Sequence, residues 1–189
     1  MPSPRALRQL PNLLTAARIL LTPFAAASIV AGEQRQALLL LAVASSTDGF
    51  DGWLARRFDW GTRLGTYLDP VADKLLLTTV YVSLWVAGLA PSWLVAIILG
   101  RDILILAFTG TVMALTRLRD FRPSIWGKIS TTFQILAALA LLITWAFPGA
   151  GLAGVSKLLI SRAAAATVWS GLLYAWIAWR MVAGQMRKD

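Results

Sequence analysis

The chain has 189 residues, 58% of them hydrophobic, with a mean hydropathy of +0.67, which excludes a water-soluble globule of ordinary composition. It has no cysteine and no histidine, so disulfides, thiolate sites, Cys nucleophiles, His bases and His metal ligands are all excluded. The formal net charge of +9 lies largely at the ends of apolar runs, where basic residues fix topology and attract anionic headgroups, so no nucleic-acid partner is expected.

Residues 1–10, MPSPRALRQL, carry Arg5 and Arg8 and are expected to form a short interfacial helix on a membrane surface. No small-residue cleavage site follows the first apolar run, which is longer than a signal-peptide core. That run, 12–31, is long enough to cross a bilayer. Asn12 after Pro11 is a candidate N-cap. Asn12, Thr15 and Arg18 recur at helical spacing and share one face. Arg18 has two readings: a side chain reaching back to the headgroups, or part of a polar site.

Residues 32–35 form the first turn and 36–57 the second expected span, apolar at its start and acidic at its end. A loop is expected over 58–64, with Arg63 facing the headgroups. The third span covers 65–88, with Pro70 near its start, and the fourth 93–116. Within the fourth, Arg101 and Asp102 are the only charges, and buried charges need partners. They either pair structurally or Arg101 binds phosphate. A loop rich in arginine (Arg117, Arg119, Arg122) follows, then the fifth span, 126–147, with Lys128 near its start. Lys128 reads as a membrane-edge anchor or an anion ligand. A Gly-rich turn leads to the sixth span, 155–182.

The expectation is thus all-α: one domain over 1–189, built as a six-transmembrane-helix bundle. An even number of spans puts both termini on one side. That side collects most of the basic residues, against Arg35, Lys157 and Arg162 on the other. The positive-inside rule makes it cytoplasmic, as in a bacterial inner or plasma membrane.

The stretch DGFDGWLARRFDWGTRLGTYLDPVAD joins the second and third spans. Asp48 and Asp51 are spaced i, i+3, and Asp69 and Asp73 i, i+4, so on helices each pair lies on one face. Four such carboxylates repel, and burying them costs several kcal/mol per ion unless a cation intervenes. Oxygen-only ligands suit hard ions such as Mg²⁺, Mn²⁺ or Ca²⁺. Gly52 either admits a ligand closely or packs helices. Arg56 and Arg57 end the second span, and a guanidinium there could hold a pyrophosphate bidentately.

The pattern Asp48-x2-Asp51-Gly52-x2-Ala55-Arg56-x8-Gly65-x3-Asp69-x3-Asp73 resembles the signature of the CDP-alcohol phosphotransferase family, eight fixed positions over 26 residues. The start Pro11-Asn12-x2-Thr15-x2-Arg18 is also similar to that family. The resemblance implies a six-helix membrane transferase that moves a substituted phosphoryl group from a CDP-linked donor to an alcohol and releases CMP. It assigns two divalent ions, Mg²⁺ or Mn²⁺, to Asp48, Asp51, Asp69 and Asp73, with Asp73 also the general base. It assigns the CDP donor to Asn12, Thr15, Arg18, Asp48, Gly52, Arg56 and Gly65. It assigns an acceptor phosphate to Lys74, Arg101 and Lys128, and implies a homodimer.

The expected donor is CDP-diacylglycerol. The segments IILGRDILI and RPSIWGKISTTFQ resemble the CMP-forming cardiolipin synthases, so phosphatidylglycerol is the expected acceptor and cardiolipin the product. Glycerol 3-phosphate, the acceptor of the phosphatidylglycerophosphate synthases, is the alternative. A membrane metal-ion binding or transport protein is the non-enzymatic one.

Overall fold

A computed structural model describes residues 10–58, 63–115 and 125–185. Every regular element among them is helical. In chain order these are α1 (Leu10–Val30), α2 (Gln34–Phe58), α3 (Arg63–Val86), α4 (Ser92–Leu115), α5 (Ile125–Ala146), a one-turn 3₁₀ helix (Pro148–Ala150) and α6 (Ala153–Gln185). Leu13–Val30, Ile125–Ala146 and Ala153–Ile177 are long and apolar enough to cross a membrane, which marks a membrane protein. The segments 34–58 and 63–86 carry the acidic motif and its arginines, and those charges dilute their apolar content.

Glycine sets where two of these helices stop. Gly32 and Gly88 have φ of 84° and 74°, the left-handed conformation that a Cβ disfavours. Around Gly32, the Glu33 N–H donates to the Ser28 carbonyl (2.9 Å) and the Gly32 N–H to the Ile29 carbonyl (3.3 Å). The same pair recurs as Leu89 to Leu84 (2.8 Å) and Gly88 to Trp85 (2.9 Å). Both are Schellman caps, which satisfy carbonyls that the helix end would leave open. The turns between α1 and α2 and between α3 and α4 are therefore fixed rather than slack.

Several boundaries differ from the sequence reading. Asn12 lies within the first turn of α1, not at its cap, because Pro11 tolerates a first-turn position where no N–H is needed. Phe58 belongs to α2, and Arg63 and Leu64 to α3, so the helices run into what reads as a loop. Pro70 sits about two turns inside α3 rather than at its start. Helix α6 extends past both expected ends. Of the expected interfacial segment, residues 1–9 lie outside the described residues.

The chain divides into two compact units, Met1–Ala90 with Trp145–Phe147, and Pro91–Thr144 with Pro148–Asp189. In the first, α1 packs against both α2 and α3; in the second, α4 packs against α6. Small residues share the buried positions with larger ones such as Ile29, Tyr81 and Leu84. The buried set is rich in small residues, among them Ala25, Ala37, Ala44, Ala72, Ala137 and Ala163. Leu20, Phe24, Leu39, Ile103, Leu106 and Leu172 are exposed. Small residues let helix backbones approach closely, which is how helices associate when the solvent is itself apolar.

Candidate active site

Helix α3 carries Asp69 and Asp73 one turn apart, and helix α1 presents Thr15 and Arg18 at the matching rise. The two faces meet rung by rung. The Thr15 hydroxyl donates to Asp69 Oδ1 at 2.6 Å. The Arg18 guanidinium donates through Nη1 to Asp73 Oδ1. Thr15 and Arg18 are fully buried. Asp73, by contrast, has 52% of its side chain exposed. The positive charge thus lies under the carboxylate and leaves its outer side open. Arg18 is not reaching back to the headgroups; it serves the carboxylate.

The polar face continues down α1. The Thr22 hydroxyl donates to the Arg18 carbonyl (2.8 Å), one residue before Pro23, which lacks the N–H that would continue the ladder. Lys74 follows Asp73 on α3 and is partly buried.

Asp48, Asp51, Gly52 and Arg56 all lie on α2, and Gly65 on α3, but their side-chain surroundings, like that of Asn12, fall outside the described residues. The backbone keeps Asp48 and Asp51 at the i, i+3 spacing of a continuous helix. The donor set suits divalent ions in kind, since all the candidate ligands are carboxylate oxygens.

In the other unit, Arg101 and Asp102 pair at 2.9 Å through Arg101 Nη1 and Asp102 Oδ1, with 8% of each side chain exposed. Neighbouring helix positions point about 100° apart, so only the long arginine arm allows this contact. Arg101 Nη2 also donates to the Ser170 hydroxyl of α6 (3.1 Å), and its guanidinium lies 5.9 Å from the centre of the Tyr174 ring. Both sequence readings of Arg101 therefore have a footing, since a paired arginine keeps further N–H donors. Lys128, near the start of α5, is exposed.

The sequence reading passed over a buried polar seam between α5 and α6. Gln134 Nε2 donates to the Thr167 hydroxyl (2.9 Å) and to the Ser130 hydroxyl (3.3 Å), and the two hydroxyls lie 3.0 Å apart. Further along, Ser156 bonds Thr144 (2.7 Å) and the Ala140 carbonyl (3.1 Å). The signal was present: Ser130 and Gln134 are spaced i, i+4 inside an apolar helix, which turns polar groups toward a neighbouring helix.

Comparison with known proteins fits this arrangement. The family model for CDP-alcohol phosphatidyltransferase matches residues 8–183. The chain is 37% identical over 175 residues to the CDP-diacylglycerol–glycerol-3-phosphate 3-phosphatidyltransferase of Escherichia coli (strain K12), covering 87% of this chain and 92% of that protein. It is 36% identical over 155 residues to the protein of that name from Bacillus subtilis (strain 168), covering 71% of this chain and 76% of the relative. It is 41% identical over 98 residues to a probable CMP-forming cardiolipin synthase of Drosophila melanogaster, covering 51% of this chain but 30% of the fly protein. With its signature on α2 and α3 and a match over nearly its whole length, the chain belongs to the CDP-alcohol phosphatidyltransferase family.

Proposed function

We propose that the protein transfers the phosphatidyl group of CDP-diacylglycerol to phosphatidylglycerol, giving cardiolipin and CMP, from a bundle of six membrane-spanning helices whose active site and termini face the cytoplasm. The observation that carries the chemistry is the pair Asp69 and Asp73, presented on one face of α3 and held from beneath by Thr15 and Arg18. Asp48, Asp51, Asp69 and Asp73 would hold two divalent cations, Mg²⁺ or Mn²⁺, which supply charge neutralisation and polarisation of the phosphoryl oxygens.

The remaining steps fall to the chain itself. Arg56, with Asn12, Asp48, Gly52 and Gly65, binds and orients the cytidine diphosphate end of the donor, while Thr15 and Arg18, buried beneath Asp69 and Asp73, act on it through those carboxylates. A guanidinium matches two phosphate oxygens at once, as a lysine cannot. Asp73 takes the proton of the acceptor hydroxyl. The hydroxyl oxygen bonds to the phosphatidyl phosphorus, the phosphorus–oxygen bond to CMP breaks, and CMP leaves with the electron pair. Arg18 keeps Asp73 in place by Coulomb attraction across the α1–α3 contact. The family resemblance assigns the acceptor phosphate to Lys74, Arg101 and Lys128. The family resemblance further suggests a homodimer.

Charge is what supports phosphatidylglycerol as the acceptor. Arg101 is largely offset by Asp102, so the pair adds little net positive charge. A phosphodiester with one negative charge fits such a group better than a monoester near two. The second reading, glycerol 3-phosphate, draws on the longer matched share of the bacterial relatives that carry that acceptor in their names. The deciding assay offers both acceptors at equal concentration in mixed micelles with CDP-diacylglycerol and separates the products. Cardiolipin should dominate. A dominance of phosphatidylglycerophosphate replaces the first reading with the second, and absence of CMP release with either acceptor leaves an ion-binding or transport role.

A further inference from the structure

Arg101 lies in a cradle drawn from three helices, all within one compact unit. Asp102 of α4 takes Nη1 and Ser170 of α6 takes Nη2. The third wall is the bare backbone of Gly127 on α5. A Cβ built there would lie 3.3 Å from Arg101 Nη2 and 3.4 Å from the Tyr174 hydroxyl oxygen. Gly171 leaves similar room on α6, where a Cβ would meet Arg101 Cγ at 3.6 Å. Neither position has a positive φ, so no backbone conformation demands glycine there; what glycine supplies is space for this one side chain. Arg101 Nε is buried and has no hydrogen-bond partner among the described residues. A buried N–H without an acceptor is costly and is rare in folded proteins. The cradle thus fixes two corners of the guanidinium and leaves a third donor over.

We propose that Gly127, Ser170 and Tyr174 are positioning residues for acceptor recognition. They hold the Arg101 guanidinium so that its remaining donors meet the phosphate oxygens of the incoming glycerophosphate group, whether that group is a lipid headgroup or free glycerol 3-phosphate. The inference rests on the reading of Arg101 as an acceptor ligand. It adds that α5 and α6, which carry none of the signature aspartates, set how tightly the acceptor is held. Ser170 fixes one amino group by a hydrogen bond, Tyr174 presents its ring to the cation, and Gly127 keeps the approach open. A methyl group at 127 would lie 3.3 Å from Arg101 Nη2, so the guanidinium must give by a few tenths of an ångström, a shift that its hydrogen-bonded corners resist.

The test is a double-mutant cycle on the full-length enzyme in mixed micelles, with KM for acceptor and for CDP-diacylglycerol measured separately, using phosphatidylglycerol and glycerol 3-phosphate in parallel arms. Arg101→Lys should raise the acceptor KM by about tenfold or more, the usual effect of losing a charge-assisted contact. Gly127→Ala should raise the acceptor KM several-fold and leave the donor KM within about twofold. In the Arg101→Lys background Gly127→Ala should have almost no further effect, because the group it presses on is gone. Ser170→Ala and Tyr174→Leu should repeat the pattern more weakly, which keeps the inference testable if Gly127→Ala folds poorly. The arm in which acceptor KM responds identifies the source of the phosphate. Equal loss for donor and acceptor, or additive losses in the double variant, would overturn the positioning role and make Gly127 an ordinary packing site. An unchanged acceptor KM in Arg101→Lys itself would instead overturn the reading of Arg101 on which the inference depends.

Discussion

The two compact units use polar groups in opposite ways. In the unit built from α1, α2 and α3, a buried donor underlies a carboxylate that is still half open to its surroundings, as Arg18 does beneath Asp73. In the unit containing α5 and α6, the hydroxyls and amide of Ser130, Gln134 and Thr167 are buried together and bond one another, with the Thr167 hydroxyl also reaching the Ala163 carbonyl (2.6 Å). The first arrangement spends binding capacity outward, on whatever approaches the carboxylates. The second closes on itself and joins two helices. Arg101 stands between these cases, buried and paired, yet with a donor left over. Polar residues in apolar helices thus divide by whether their last bond points into the protein or out of it.

The sharpest way to break this contrast is to remove divalent cations. Chelation by EDTA should abolish CMP release, with recovery on adding Mg²⁺ or Mn²⁺, while helicity by circular dichroism stays unchanged. Full activity in chelator would mean that the four aspartates do not act through a metal. Asp73→Asn comes next. It keeps the shape and removes the base, so turnover should fall by roughly 10²–10⁴-fold with the donor still bound. Turnover within a few-fold of the parent would hand the proton to another group.

Arg18→Met should follow with a loss of roughly ten- to a hundredfold, the scale expected when a reacting group is misplaced by about an ångström. The same variant should shift the concentration of Mn²⁺ needed for half-maximal activity, since Asp73 loses the cation beside it. If neither changes, the Arg18–Asp73 contact is structural and the two units are less different than they look. The smallest effect belongs to the closed seam. Gln134→Leu should leave kcat and both KM values within about twofold and lower stability in detergent by about 0.5–1.5 kcal/mol, the range for an interhelical hydrogen bond in a membrane protein. A large loss of activity without a loss of stability would show that the seam reaches the chemistry after all.

Much of this was legible before any coordinates. The regular spacing puts each pair, Asp48 with Asp51 and Asp69 with Asp73, on one face of a helix; the structure describes this for Asp69 and Asp73, while the side chains of Asp48 and Asp51 lie outside the described residues. The helices lie close to the expected spans because apolar run length and the glycines at 32 and 88 mark their limits in the sequence itself. The termini of α2 and α3 were misread because the polar residues between them look like a loop, although Phe58, Arg63 and Leu64 are helical. Long-range partners were the least legible. That Arg18 meets Asp73 rather than lipid, or that Ser170 meets Arg101, depends on how helices far apart in sequence dock, and no local pattern encodes that.

The contact between Arg18 and Asp73 also sets a problem of timing. The two residues are separated by 55 positions, with the whole of α2 between them. During synthesis the arginine therefore emerges long before the carboxylate that will neutralise it. A lone arginine at the centre of a membrane helix is penalised by about 2.5–3.5 kcal/mol on insertion scales, and Arg18, the sixth residue of the apolar stretch Leu13–Val30, bears a part of that. The first helix must either bear that penalty until the third arrives or linger at the membrane surface until it does. In this chain the ion pair between α1 and α3 thus links the settling of the N-terminal helix to the arrival of the third.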